Sequence, residues 1–228
     1  MYLITTKKIF EKFNINSHIK DIPKKIYIFH QKGLFKKIEN KFNFKKIKFT
    51  RGDLYFEENN QFAIITNFGT GYSSALMLAE ELSGLGFKKV IGFGIAGFIN
   101  SKNNIKIGDL FVIKKMYSQI NLSEISKNTN DYIENDIFLK NLKEKNSISV
   151  ISLYKESYQM IKNCLSKDIS IIDMELYPLA LIFQEKGVDF NQVIAVSDIL
   201  KNNYWDFEIN NIKVAYSNLE KYFLNLER

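Results

Sequence analysis

The stretch from Ile169 to Leu200 constrains the fold more than any other part of the chain. A short β-branched run, Ile169-Ser-Ile-Ile-Asp173, leads through Met174-Glu175 into an apolar segment of helical length, and after Gly187 a second apolar run rises from Phe190 to Val196. This order predicts a strand, helix, strand unit. It puts two carboxylates, Glu175 and Asp198, where the chain leaves a strand, at the edge where open α/β sheets bind small molecules. On these residues alone Glu175 reads equally as a first-turn acid favoured by a helix dipole, and Asp198 as a helix N-cap.

The flanking chain supplies more strands and helices. Tyr2 to Thr6 reads as a strand, Lys7 to Phe13 as a short helix carrying Glu11, and Ile22-Pro23 as a turn into a strand at Ile26 to Phe29. Ile47 to Phe49, Leu54 to Phe56 and Phe62 to Thr66 read as successive strands, the last two joined by a turn at Glu58-Asn59-Asn60. Asn67-Phe-Gly69-Thr-Gly71 then opens a helix over Tyr72 to Leu85, with Ser73 or Ser74 as its cap. A glycine turn at a helix start lets backbone N–H groups approach an anion or a ribose oxygen, although a tight turn also uses glycine for geometry alone.

Lys88 to Gly97 is a buried strand ending in the small residues Gly94-Ile95-Ala96-Gly97, which permit close approach of a ligand to the backbone. Ile105 to Ile113 gives a turn at Gly108-Asp109 and another strand. Residues 118 to 146 are polar, with a short helix expected at Ile133 to Leu142 and the remainder a candidate lid. Ser147 to Leu153 reads as a strand, Ser157 to Leu165 as a helix, residues 199 to 209 as a loop containing Trp205, and Asn211 to Leu226 as a closing amphipathic helix.

The chain has 228 residues, is 46% hydrophobic and lacks an internal repeat or a Pro/Gly/Ser-rich linker, so one α/β domain over residues 1–228 is expected. Its net charge of +7 would suit an acidic partner, yet the lysines are spread evenly, so a solvated surface is expected and no nucleic-acid partner. Arg51 is the one arginine before the C-terminal Arg228; either it serves a task needing the bidentate guanidinium, or it is a surface turn residue. A single cysteine, Cys164, and two histidines, His18 and His30, leave no ligand set for a metal. No cofactor is expected. Neither a signal peptide nor a membrane-spanning run is visible, so a cytoplasmic protein without a membrane partner is expected.

Three segments together resemble the purine nucleoside phosphorylase and nucleosidase superfamily, which includes methylthioadenosine/S-adenosylhomocysteine nucleosidases, futalosine hydrolases and nucleoside phosphorylases. They are Thr66 to Gly71 with its helix, Val90 to Gly97 followed by Ile105-Lys-Ile-Gly108-Asp109, and Asp173-Met174-Glu175 followed by Ser197-Asp198. The resemblance implies a central mixed β-sheet flanked by helices, a homo-oligomer, and cleavage of the N-ribosidic bond of a purine nucleoside.

Under it, Asp198 would protonate the leaving base with Ser197 beside it. Glu175 would accept hydrogen bonds from the sugar hydroxyls while Met174 packs on the sugar. Gly69, Gly71, Ile95, Ala96 and Gly97 would line the site, and Leu153 and Tyr154 would meet the base; Tyr154 reads equally as a core aromatic, and Trp205 either closes over the base or anchors the last helix. Phosphorylases of the family carry a Gly-Asp-Pro-x-Arg loop that is missing here and an arginine where this chain has Gly92, which leaves Arg51 to meet a phosphate. Nucleosidases use a glutamate shortly after the first strand to activate water, and Glu11 is the nearest counterpart. The expectation is therefore a nucleosidase using water, with a phosphorylase or a catalytically inactive nucleoside-binding protein as alternatives.

Overall fold

The computed structural model describes residues 22–49, 51–99, 104–119, 132–152, 158–201 and 204–228. The expected strand and helix before residue 14, with Glu11, and also His18, Leu153 and Tyr154, lie outside these residues, as do residues 120–131 of the expected lid.

The described strands join one mixed sheet: β1 (Lys25–Phe29), β2 (Phe44–Lys48), β3 (Asp53–Glu57), β4 (Ala63–Thr66), β5 (Lys89–Ile99), β6 (Leu110–Ser118), β7 (Tyr132–Glu134), β8 (Lys143–Ser149), β9 (Ile169–Asp173), β10 (Asp189–Lys201) and β11 (Tyr204–Trp205). Their order is β11-β10-β6-β8-β9-β5-β1-β4-β3-β2, with β7 on β6. Because β10 pairs with β5 as well as β6, strands β5, β10, β6, β8 and β9 close into a ring. The parallel pairs β1–β4, β1–β5 and β5–β10 end on the same side, which gathers Thr66, Gly97 and Asp198 at one rim.

The helices are α1 (Lys32–Ile38), α2 (Tyr72–Leu85), α3 (Tyr158–Ser166), α4 (Leu176–Glu185) and α5 (Ile209–Leu226). Side chains alternate across β1: Ile26 and Ile28 pack with α2 and α4, whereas Tyr27 and Phe29 pack with α1 and α5. On the second face Tyr27 meets Phe223 edge to face at 4.9 Å, with Phe62 and Phe93 closing the cluster. Glu227, just past α5, ties that helix to β1 by accepting from Lys25 Nζ at 2.7 Å and from the Tyr27 hydroxyl.

The structure departs from the sequence expectations in several places. Residues 133–142 are not a helix: Tyr132–Glu134 is a strand, and the chain after it runs irregularly because Asn191 satisfies its backbone. The buried Asn191 Oδ1 accepts from Phe138 N at 3.0 Å and Leu139 N at 3.2 Å, and its Nδ2 donates to Asp136 O. The strand expected at 147–153 starts earlier, at Lys143, and ends at Ser149. Neither Ser73 nor Ser74 caps α2; Gly71 holds the N-cap position without a side-chain cap bond. Helix α1 was not expected. Nor is the chain after Asp198 a plain loop: β10 continues to Lys201 and turns into β11, where Leu200 pairs with Trp205. Asp198 therefore sits inside a strand, at the register shift between Val196 and Asp198, and not at a helix start.

Candidate functional site

The rim holds a cavity of about 610 Å³ that brings together Gln31, Thr70, the Ile95-Ala96-Gly97 segment, Asp173-Met174-Glu175, Ser197-Asp198, Trp205 and Phe207. That size suits a ligand of nucleoside dimensions. Two segments 104 residues apart in the chain meet at its edge, where Gly71 N donates to Glu175 Oε1 at 2.7 Å. Gly69 and Gly71 both have positive φ, 93° and 87°, which aims the turn so that the Gly71 N–H faces across to Glu175. The carboxylate is thereby placed at the N-terminus of α2, where the helix dipole favours negative charge.

Glu175 is itself oriented from behind by Asp173. Asp173 Oδ1 accepts from Glu175 N at 3.0 Å, Leu176 N at 2.8 Å and Ser149 Oγ at 2.6 Å, and Ser149 Oγ accepts from Tyr177 N at 2.8 Å. This network fixes the sharp turn from β9 into α4 that carries Met174 and Glu175. Burial pushes the Asp173 carboxyl up to about 7 against these hydrogen bonds, with the nearby Glu175 charge adding to the rise.

On β10 Ser197 Oγ lies 2.5 Å from Asp198 Oδ1 and 3.3 Å from the Ala96 carbonyl oxygen. Burial raises the pKa of Asp198; the Ser197 hydroxyl opposes that rise and the charge of Asp206 adds to it. The one hydroxyl proton of Ser197 reaches both neighbours only in turn. When Asp198 is protonated it donates to Ser197 Oγ and Ser197 donates to Ala96 O; when Asp198 is ionised, Ser197 donates to it. The wall can hold either charge state, as an acid that gives up a proton requires.

Against β5, at Gly92 and Gly94, lies a polar pair that sequence reasoning did not join. His30, just after β1, has Nε2 3.1 Å from Gln192 Oε1, and the Gln192 amide nitrogen is held on the Val193 carbonyl at 3.1 Å, so Nε2 carries the proton. Burial lowers the His30 pKa, opposed by the Glu175 charge and the Gln192 hydrogen bond. Gly92 is small for this reason: a Cβ there would stand 1.7 Å from Gln192 Oε1. Asn191 and Gln192, two amides inside an apolar run, were the available sequence signal.

Of the residues singled out from sequence, Met174, Glu175, Ser197, Asp198, Ile95, Ala96 and Gly97 meet at this cavity, with Gly71 bonded to its edge. Gly69 turns toward Ser74. Arg51 is not part of the lining; its Nε lies 3.7 Å from Glu81 Oε1 of α2. Gln31, Thr70, Ile172, Asp173 and Phe207 are the lining residues that sequence reasoning left unassigned. Among the described residues no group of three His, Cys, Asp or Glu side chains could hold a metal ion.

No protein-family model matches this chain, and no curated protein matches it. Solved structures do. A mutant Helicobacter pylori MTAN with 5'-methylthioadenosine in the active site aligns with TM-score 0.72 and 16% identity over 90% of this chain and 99% of that one. The Campylobacter jejuni 5'-methylthioadenosine/S-adenosyl homocysteine nucleosidase aligns with TM-score 0.70 and 15% identity over 88% and 98% of the two chains. A futalosine hydrolase mutant of Helicobacter pylori gives 0.68 and 16% over 88% and 97%. The chain thus has the fold of the nucleoside phosphorylase and nucleosidase superfamily.

Proposed function

We propose that the chain is a purine nucleosidase that cleaves an N-ribosidic bond with water, acting on a nucleoside such as methylthioadenosine, S-adenosylhomocysteine or a futalosine-like compound. The observation that carries this reading is that Glu175, just past β9, and Asp198, on β10, both line one cavity of about 610 Å³. Cleavage builds positive charge on the sugar and negative charge on the departing purine. Asp198 gives its proton to the base as the C1'–N9 bond breaks. The electrons of that bond leave with the base, water adds to C1', and the proton that it releases passes to solvent, from which Asp198 is reprotonated. Glu175 accepts hydrogen bonds from the 2' and 3' hydroxyls and opposes the sugar's charge, with Met174 packed on its face.

Charge favours water over phosphate. Among the described residues the lining contains no lysine or arginine, so a phosphate dianion would meet the Glu175 carboxylate without a counter-ion. Arg51, the sequence candidate for that task, faces Glu81. A second reading, nucleoside binding without turnover, is favoured by Gln31: it lines the cavity just after β1, and an amide can orient a water but cannot take its proton. The same reading of the chain carries a single domain, a homo-oligomer and a cytoplasmic location; among the described residues no helix is long and apolar enough to cross a membrane.

Incubation with a panel of purine nucleosides and chromatography of the products tests the reading. Release of free base from at least one member is expected, and saturable binding with no release from any would leave the second reading standing in its place.

A further inference from the structure

Trp205 lies against the part of the cavity where a base would be protonated. A Cβ built on Gly97 would stand 2.7 and 2.8 Å from Cζ3 and Cη2 of the Trp205 indole and 2.9 Å from Asp198 Oδ2. The six-membered ring of the indole and the Asp198 oxygen that Ser197 does not contact therefore converge above the same backbone position. Trp205, Gly97 and Asp198 all line the cavity, and Phe207, 64% exposed, follows two residues later. The indole is held there by the β10–β11 hairpin: Leu200 pairs with Trp205, and Asp206 N donates to Ile199 O at 3.1 Å.

We propose that Trp205 is the aromatic wall on which the planar base of the substrate stacks. The inference rests on the nucleoside reading of the cavity. A flat, polarisable ring beside a proton donor selects a planar heteroaromatic group carrying an acceptor on its edge, because only such a group can lie on the indole and reach Oδ2 at once. Gly97 is part of the device. Any side chain there would strike the indole and displace it from the carboxyl.

The chain contains one tryptophan, so its emission reports this indole alone. The full chain is titrated with adenine, methylthioadenosine and D-ribose while tryptophan emission and, separately, heat of binding are followed. Adenine and methylthioadenosine should change the emission saturably, at the affinity found by calorimetry, and ribose should not. W205A should weaken adenine binding by about tenfold to a hundredfold, with W205F restoring most of it.

Adenine binding with unchanged emission would overturn the proposal. So would a W205A variant that binds adenine as well as or better than the native chain, because the indole would then fill the base's place instead of walling it. If W205A does not fold, the native titration still decides. Failure of adenine and every nucleoside to bind would remove the nucleoside reading together with this one; cleavage with a silent tryptophan removes the present inference alone.

Discussion

The backbone N–H of Gly71 donates to Glu175 Oε1 at 2.7 Å, joining the glycine turn after β4 to the turn before α4. This bond sets the position of the carboxylate proposed to hold the sugar, and it links the N-terminal half of the sheet to the closed ring of strands. Removing the carboxylate should therefore cost both binding and stability. E175A should raise KM for ribonucleosides more than about tenfold and lower unfolding stability by about 1–2 kcal/mol, because the Gly71 N–H loses a charged acceptor. E175Q should recover most of the stability and less of the binding. Steady-state kinetics and urea unfolding report the two effects separately.

In the proposed reaction Asp198 acts in its protonated form, and burial raises its pKa. Activity on purine nucleosides should accordingly fall as pH rises through that raised pKa, on the alkaline limb of kcat/KM. D198N should lose roughly 10²–10⁴-fold in kcat while still binding nucleoside, since the loss falls on proton donation. An unchanged kcat in D198N would remove it from the role of acid.

Asp173 makes stability depend on pH. Its carboxyl is raised to about 7 in the folded chain, above its unfolded value, so the folded state holds a proton that the unfolded state has lost. The resulting stabilisation is fully present below the unfolded pKa and disappears as pH rises through about 7. Thermal unfolding at a series of pH values should show the native chain losing stability between acidic and mildly alkaline buffer by more than D173N, which cannot ionise but keeps an acceptor for Glu175 N and Leu176 N. Parallel curves for the two proteins would contradict this.

A methyl group on Gly92 would stand 1.7 Å from Gln192 Oε1. G92A should destabilise the fold by about 1–3 kcal/mol through overpacking. Q192A opens the space, so the double variant G92A/Q192A should be more stable than the sum of the two single changes allows. Denaturant melts of the four proteins test the coupling; strict additivity would mean that the glutamine moves aside without cost.

Much of this site was legible because its residues follow local rules. The apolar run Ile26 to Phe29, the helical spacing of Leu76, Ala79 and Leu82, and the glycines at 69 and 71 each reflect a constraint acting within a few residues. The strand, helix, strand unit around Glu175 was readable for the same reason. What stayed hidden depends on partners far along the chain. Residues 133–142 read as a short helix, yet the amide of Asn191 takes backbone hydrogen bonds of Asp136, Phe138 and Leu139. Asp198 looked like a strand-end acid because nothing near it in sequence announces pairing between Leu200 and Trp205. His30 gains its place only from Gln192, 162 residues away. The glutamate expected to activate water, Glu11, falls outside the described residues, so the identity of the attacking group rests on charge at the cavity rather than on a side chain in view.

The fate of the sugar tests the central claim most directly. Methylthioadenosine is incubated with the full chain with and without inorganic phosphate, and both adenine and the sugar product are identified. The account predicts free adenine and free methylthioribose at the same rate in either buffer. Adenine released only with phosphate, accompanied by a sugar 1-phosphate, would contradict it.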